Sequence, residues 1–355
     1  MPSIDISAVR KRIDALLTEA YNEDGSDVHI CSGVPPILRK DGILFEIKAR
    51  PANALSPFAV LQTEPFTTEE LKLFVETYLA PSLREEGFTT GSIDASYSVS
   101  IKQTEFFTRV NAFYDSRGIS IAFRLLKKYI PAMTKLRIPM SVQKLRYLDH
   151  GLVVLTGATG AGKTTTIASL LEAINQERPA HIVTIENPIE YCFDMKKALI
   201  SQREVGRDCG SFLEGLRDVL RQDPDVILVG EMRDAETIET ALAAAETGHL
   251  VFSTLHSGTV VEAIDRFVQY FPGDRQKEIR NELANCFEGI IAQKLFRTAG
   301  GSRIAAFEIL LGTDTTRNLI RTSNGFKLKD YMFPNSGMQT FEDAVQGLRN
   351  KHLIQ

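Results

Sequence analysis

Gly157-Ala158-Thr159-Gly160-Ala161-Gly162-Lys163-Thr164 fits G-x-x-x-x-G-K-[ST], and it stands between the apolar run Leu152 to Leu155 and the helical run Thr165 to Ile174. A strand before and a helix after are the context that turns this pattern into a phosphate-binding loop. The glycines let backbone N–H groups approach phosphate oxygens, and the helix N-terminus adds a favourable dipole. Lys163 then reaches the β- and γ-phosphates of ATP and Thr164 holds Mg²⁺. The candidate nucleotide contacts are therefore Gly157, Ala158, Thr159, Gly160, Ala161, Gly162, Lys163, Thr164 and Thr165, with Thr164 also a metal ligand.

Carboxylates stand where such a loop needs them. Asp225-Val-Ile-Leu-Val-Gly-Glu231 is an apolar strand ending in an acid, and in a parallel α/β sheet the C-terminal end of a strand faces the ligand crevice. Glu231 is thus a candidate to orient the attacking water or to hold Mg²⁺ through water. The run Ile182 to Ile185 leads into Glu186-Asn187-Pro188-Ile189-Glu190, which adds two acids at another strand end. Like charges gathered at one crevice are costly without a cation, and Mg²⁺-ATP supplies one.

His249 and His256 flank the strand Leu250 to Leu255, and no H-E-x-x-H or other metal spacing occurs. A histidine after a strand of this sheet can contact the γ-phosphate, so His256 is a candidate catalytic residue and His249 a candidate nucleotide contact. Arg109, Arg117 and Arg124 lie far from the loop in sequence. An arginine supplied across a subunit boundary can stabilise transition-state charge.

Two domains are expected to position these groups. The 355 residues, 43% hydrophobic and 24% charged, read as an ordinary globular chain, and this length predicts two domains. An opening helix over 7–22, short alternating segments from Val28 to Leu126 and a helical stretch around Thr68 to Leu79 form a small α+β domain, 1–126. The Pro/Ala/Ser-rich stretch between Lys48 and Thr67 reads as an inserted loop. A linker over 127–140 leads to an α/β domain, 141–355, whose runs Leu152 to Leu155, Ile182 to Ile185, Val226 to Val229 and Leu250 to Thr254 alternate with helix-length segments, the pattern of a parallel sheet. Arg275 to Leu295, Thr313 to Thr322 and Met338 to Leu353 read as mostly helical.

A net charge of −4 with dispersed basic residues offers no general attraction for nucleic acid or anionic lipid, and no nucleic-acid partner is expected. The four cysteines, Cys31, Cys192, Cys209 and Cys286, form no C-x-x-C pair, which argues against a zinc ribbon and suits a reducing compartment. No signal core and no run of about 18 apolar residues are present, so a cytoplasmic location is expected, with any membrane role peripheral.

These motifs together resemble the type II/IV secretion ATPase superfamily, most closely the PilT-type pilus retraction ATPases. The resemblance is carried by GSDVHICSGVPPILRKDG at 25–42, RVNAF at 109–113, FRLL at 123–126, GATGAGKTTT at 157–166, TIENPIEY at 184–191, DPDVILVGEMRD at 223–234, AAETGHLVFSTLH at 244–256, RNLIR at 317–321 and GMQTFEDA at 337–344. It implies a PAS-like N-terminal domain, a RecA-like P-loop ATPase core and a homohexamer with ATP between subunits. Carried over by position, Lys163 and Thr164 belong to Walker A, Glu186 and Glu190 to the Asp box, Glu231 to an atypical Walker B, and His256 to the His box. Arg109 and Arg124 match the N-domain arginines that reach the γ-phosphate, and RNLIR resembles a motif needed for retraction.

The family's TIEDP box reads TIENP here, so Asn187 stands where a further acid is expected. The partners implied are an inner-membrane pilus platform protein and a paralogous retraction ATPase. The extra N-terminal domain and four-cysteine module usual in assembly-type relatives are not seen, which favours retraction. The rival readings are a secretion or pilus-assembly ATPase and a nucleotide-gated scaffold without turnover.

Overall fold

The computed structural model describes residues 4–23, 25–40, 43–47, 63–80, 87–89, 91–101, 104–126, 130–298 and 301–354. Most of the inserted loop expected over 48–67 therefore lies outside the described residues. The chain divides into two compact units, Met1–Lys128 and Tyr129–Gln355.

The first unit holds α1 (Ile6–Asn22), β1 (Asp27–Cys31), β2 (Ile37–Lys40), β3 (Ile43–Glu46), α2 (Thr68–Phe74), β4 (Ser92–Ile101), β5 (Thr104–Asp115) and β6 (Gly118–Leu125). Asp5 caps α1 by accepting from the Ser7 and Ala8 amides, and Thr67 with Glu70 forms a capping box on α2, so each helix starts where an oxygen satisfies its orphan donors. The strands form one antiparallel sheet in the order β3-β2-β1-β6-β5-β4. Ile13, Leu16 and Leu17 of α1 and Phe74 of α2 pack with Val110 and Phe123 of the sheet.

The second unit runs α3 (Met140–Gln143), β7 (Gly151–Thr156), α4 (Lys163–Glu177), β8 (His181–Glu186), β9 (Leu199–Glu204), α5 (Phe212–Val219), β10 (Val226–Val229), α6 (Ala235–Glu246), β11 (Leu250–Leu255), α7 (Val260–Gln269), α8 (Gln276–Cys286), β12 (Phe287–Arg297), β13 (Arg303–Leu311), α9 (Asp314–Arg321) and α10 (Phe341–Asn350). Its seven strands are ordered β13-β12-β7-β11-β10-β8-β9. Every neighbouring pair is parallel except β12 with β13. β7, β10 and β11 are buried along their whole length, as central parallel strands covered on both faces must be.

The fold differs from the sequence expectation over 275–295. Arg275 to Leu295 is not one helical segment: the helix ends at Cys286 and β12 begins at Phe287. The apolar stretch Gly289 to Gln293 is buried without a break apart from the half-open residue 288 before it, and a short run buried on both faces has no alternation to separate strand from helix. The return strand β13 is likewise buried from Ala306 to Leu310, whereas β9 is half-open along Ser201 to Arg203 and offers only two apolar residues to mark a strand.

Candidate functional site

The loop between β7 and α4 is shaped by two glycines. Gly157 has φ 148° and a Cβ there would stand 2.5 Å from the Gln293 carbonyl. Gly162, the residue before α4, has φ 88° and a Cβ would stand 2.9 Å from the Gln293 side-chain nitrogen. Only glycine fits both demands. Ala158, Thr159 and Gly160 are exposed at the tip, while Ala161 is buried.

Lys163 opens α4 with its side chain inside the protein, 8% exposed. Its ammonium donates to the Gly157 carbonyl at 2.8 Å and the Ala158 carbonyl at 3.2 Å. Burial lowers its pKa, against the attraction of Glu231 and Glu190. A cation held out of water beside its own loop carbonyls is poised for an anion that would satisfy it better.

The loop borders a cleft of about 320 Å³ that brings together Thr159, Gly160, Lys163 and Thr164 with Glu186, Asn187, Glu190, Glu231, Arg233 and His256. The strand ends β8, β10 and β11 deliver the acids and the histidine, all at the C-terminal edge of the sheet. Thr156 ties this edge together: its hydroxyl donates to the Ser257 carbonyl at 2.9 Å and accepts from the Ser257 amide at 2.8 Å.

The two strand-end acids sit in opposite surroundings. Glu186 is 6% exposed and accepts from the Thr184 hydroxyl at 2.7 Å and the Gln202 amide at 3.3 Å. Burial pushes its pKa up to about 7 despite those bonds. Glu231 is half-open, with one oxygen 2.7 Å from the Arg233 guanidinium and the other 3.1 Å from His256 Nε2. Burial pulls its pKa upward, but Arg233 and His256 outweigh it and leave the pKa below the ordinary carboxylate value.

The profile of the Type II/IV secretion system protein family matches residues 93–331. The chain belongs to that family. It is 38% identical over 344 residues to the type IV pilus retraction ATPase PilT of Pseudomonas aeruginosa, covering 96% of this chain and 95% of the relative. It is 41% identical over 266 residues to a twitching motility protein of Neisseria gonorrhoeae, covering 74% and 71%. A crystal structure of the pilus retraction motor PilT with bound ADP superposes with a TM-score of 0.82 at 38% identity, covering 97% of this chain and 94% of that one.

Not every candidate converges in this secretion-family core. His249 precedes β11, whereas His256 follows it, so His249 lies at the opposite edge of the sheet from the loop. Its Nδ1 bonds the Ala244 carbonyl at 3.0 Å and its own carbonyl accepts from Gly151. Reading His249 as a nucleotide contact is therefore corrected for the chain's own cleft. Arg109 and Arg124 belong to the first unit, where they are exposed cross-strand neighbours on β5 and β6. Asp27 on β1 pairs with Arg124 at 3.0 Å, which offsets part of the cost of two like charges placed side by side.

The RNLIR segment forms most of α9. Its Arg317 donates to the Ala284 and Asn285 carbonyls, capping α8, and pairs with Glu288 at 2.6 Å, while Arg321 donates to Asn285. These arginines, half-buried Arg317 and exposed Arg321, tie α9 to the C-terminal end of α8.

Sequence reading passed over Arg233, two residues beyond Glu231 and legible by that spacing. It also passed over Tyr191, whose hydroxyl lies 2.9 Å from that of Thr165, and Gln202, which bonds both Glu186 and the Tyr191 carbonyl.

Proposed function

We propose that this chain is the ATP-hydrolysing motor of type IV pilus retraction, a homohexamer that drives pilus disassembly and twitching motility. The observation that carries the nucleotide reading is the buried Lys163 ammonium at the mouth of the glycine loop, facing carboxylates from two other strand ends. The retraction reading rests on the near full-length likeness to PilT. An inner-membrane pilus platform protein and a paralogous retraction ATPase are the partners this role requires. Among the described residues no helix is long and apolar enough to cross a membrane, which fits peripheral work at the cytoplasmic face.

Lys163 binds the β- and γ-phosphates as a fixed point charge, and the loop amides orient them. The donor set fits Mg²⁺: Thr164 offers a hydroxyl and Glu231 and Glu190 offer hard oxygens. Among the described residues no group of three His, Cys, Asp or Glu forms a metal cage, as suits an ion shared with substrate phosphates. When bound, Mg²⁺ neutralises charge on the phosphate oxygens. Glu231, kept ionised by Arg233 and His256, accepts the proton of the attacking water once one oxygen is released from its partner. His256 follows the γ-phosphate from β11. Arg109 and Arg124 of a neighbouring subunit complete the charge in trans.

Lys163→Ala is the test. Phosphate release by the purified protein should fall to background, and the variant should fail to restore surface motility in a strain lacking its own copy. A folded Lys163→Ala protein with near-normal turnover refutes the assignment. Turnover without motility rescue by the unaltered protein sinks the retraction reading alone.

A further inference from the structure

Gln293 sits in β12, the neighbour of β7, directly after the Ala292 that pairs with Thr156. It is 2% exposed. Its side-chain nitrogen donates to the Ala161 carbonyl at 2.7 Å, and its side-chain oxygen accepts from the Thr166 hydroxyl at 2.8 Å. One amide thus grips the phosphate loop on one side and the first turn of α4 on the other, with Lys163 and Thr164 between the two gripped residues. Both glycines that shape the loop abut this residue, Gly157 its backbone carbonyl and Gly162 its side chain.

We propose that Gln293 is a positioning residue for the nucleotide, fixing the loop in its phosphate-receptive shape before ligand arrives. This rests on the nucleotide reading above. In a planar trans peptide the carbonyl and the following N–H point in opposite directions. Pinning the Ala161 carbonyl onto β12 therefore turns the Gly162 N–H away from β12, and among the described residues that N–H has no acceptor. An unpaired donor beside Lys163 is what a phosphate oxygen needs. The second bond, from Thr166, keeps α4 in register with the loop, so that amide and ammonium address the same anion.

Without the grip, the Ala161 carbonyl and Thr166 hydroxyl lose their buried partner. The loop then spends part of its time in other shapes, and affinity falls in proportion to the receptive fraction that remains. Gln293→Met keeps the volume and removes both bonds. Gln293→Glu keeps the acceptor for Thr166 but sets a carboxylate against the Ala161 carbonyl, and its protonation restores a donor.

ADP affinity is measured by fluorescence titration for the unaltered full chain, Lys163→Ala, Gln293→Met, Gln293→Glu and Thr166→Val, with cooperative thermal melting as the fold control. Gln293→Met should bind ADP about ten-fold more weakly or worse while still melting cooperatively. Adding Thr166→Val to Gln293→Met should cost less than Thr166→Val alone, because the bond is already gone. Binding of ADP by folded Gln293→Met within two-fold of the unaltered chain overturns the proposal. Should Gln293→Met not fold, Gln293→Glu decides: affinity that recovers as pH falls from 8 to 6, beyond any change in the unaltered chain, supports the grip, and a flat profile overturns it. If the unaltered chain binds no ADP, the nucleotide reading itself falls and this inference goes with it.

Discussion

Glu186 and Glu231 end two neighbouring strands of one sheet and border one cleft, yet their surroundings drive them apart. Glu186 is enclosed by neutral donors, Thr184 and Gln202, and burial raises its pKa to about 7. Glu231 is also pushed up by burial, but Arg233 and His256 more than reverse it. Near neutral pH one carboxyl is close to half protonated and the other ionised. Two acids with separated pKa values are how a single site divides proton handling from charge. Here the division follows from which strand end has cations within reach and which has only amides and hydroxyls.

The proposed action of the arginines in trans carries the comparison to a neighbouring chain, and the largest effect is expected there. Arg233 serves Glu231 from within, whereas Arg109 and Arg124 stand exposed on a different unit. Arg124→Ala should reduce turnover by roughly 10³–10⁵ while ADP still binds. Mixing it with Lys163→Ala chains should restore some phosphate release, since certain interfaces then pair an intact loop with an intact arginine. Absence of rescue, in rings shown by mass measurement to be mixed, removes the arginines from catalysis.

Next in size is Glu186→Gln. A folded-state pKa raised from 4.5 to about 7 contributes stability that is fully present below the unfolded value and is lost as pH rises through 7. The amide avoids that loss. The nucleotide-free variant should exceed the unaltered protein by about 3 kcal/mol at pH 8 and match it near pH 4.5. Urea denaturation at the two pH values checks this, and a gap that does not change with pH contradicts the burial argument.

Arg233→Ala acts on the other acid with the opposite sign. Removing the cation that holds Glu231 down should move the acid limb of the pH–rate profile to higher pH. An unmoved limb means that Arg233 does not tune Glu231. Smallest is Asn187→Asp, which adds a charge on the rim of the cleft and should raise Mg²⁺ affinity a few-fold, read as the Mg²⁺ dependence of turnover. No change means that the neighbouring glutamates suffice.

The parts of this site that were legible are those carried by contiguous residues. The loop reads from its glycines together with the strand and helix on either side, and Glu231 and Glu186 read from apolar runs that end in acid. His249 shows where local reading stops. It flanks the same strand as His256 but stands at the N-terminal end of β11, and because β11 runs parallel to β7 the two histidines lie at opposite edges of the sheet. Gln293 was hidden for a different reason. It lies in a stretch read as helix because burial on both faces erases alternation, and its partners are 127 and 132 residues away in sequence. The raised pKa of Glu186 has no sequence signal at all, since it depends on how completely the surrounding strands close over the carboxyl.

Glu231→Gln, with nucleotide affinity and steady-state phosphate release measured on the same preparation, tests the central claim most directly. The amide keeps the shape but neither carries the charge nor accepts a proton, so ATP and ADP affinities should stay within a few-fold of the unaltered protein while turnover falls by roughly 10²–10⁴. Lost binding with undiminished turnover per bound ATP would contradict the account, because Glu231 would then hold the nucleotide rather than drive its hydrolysis.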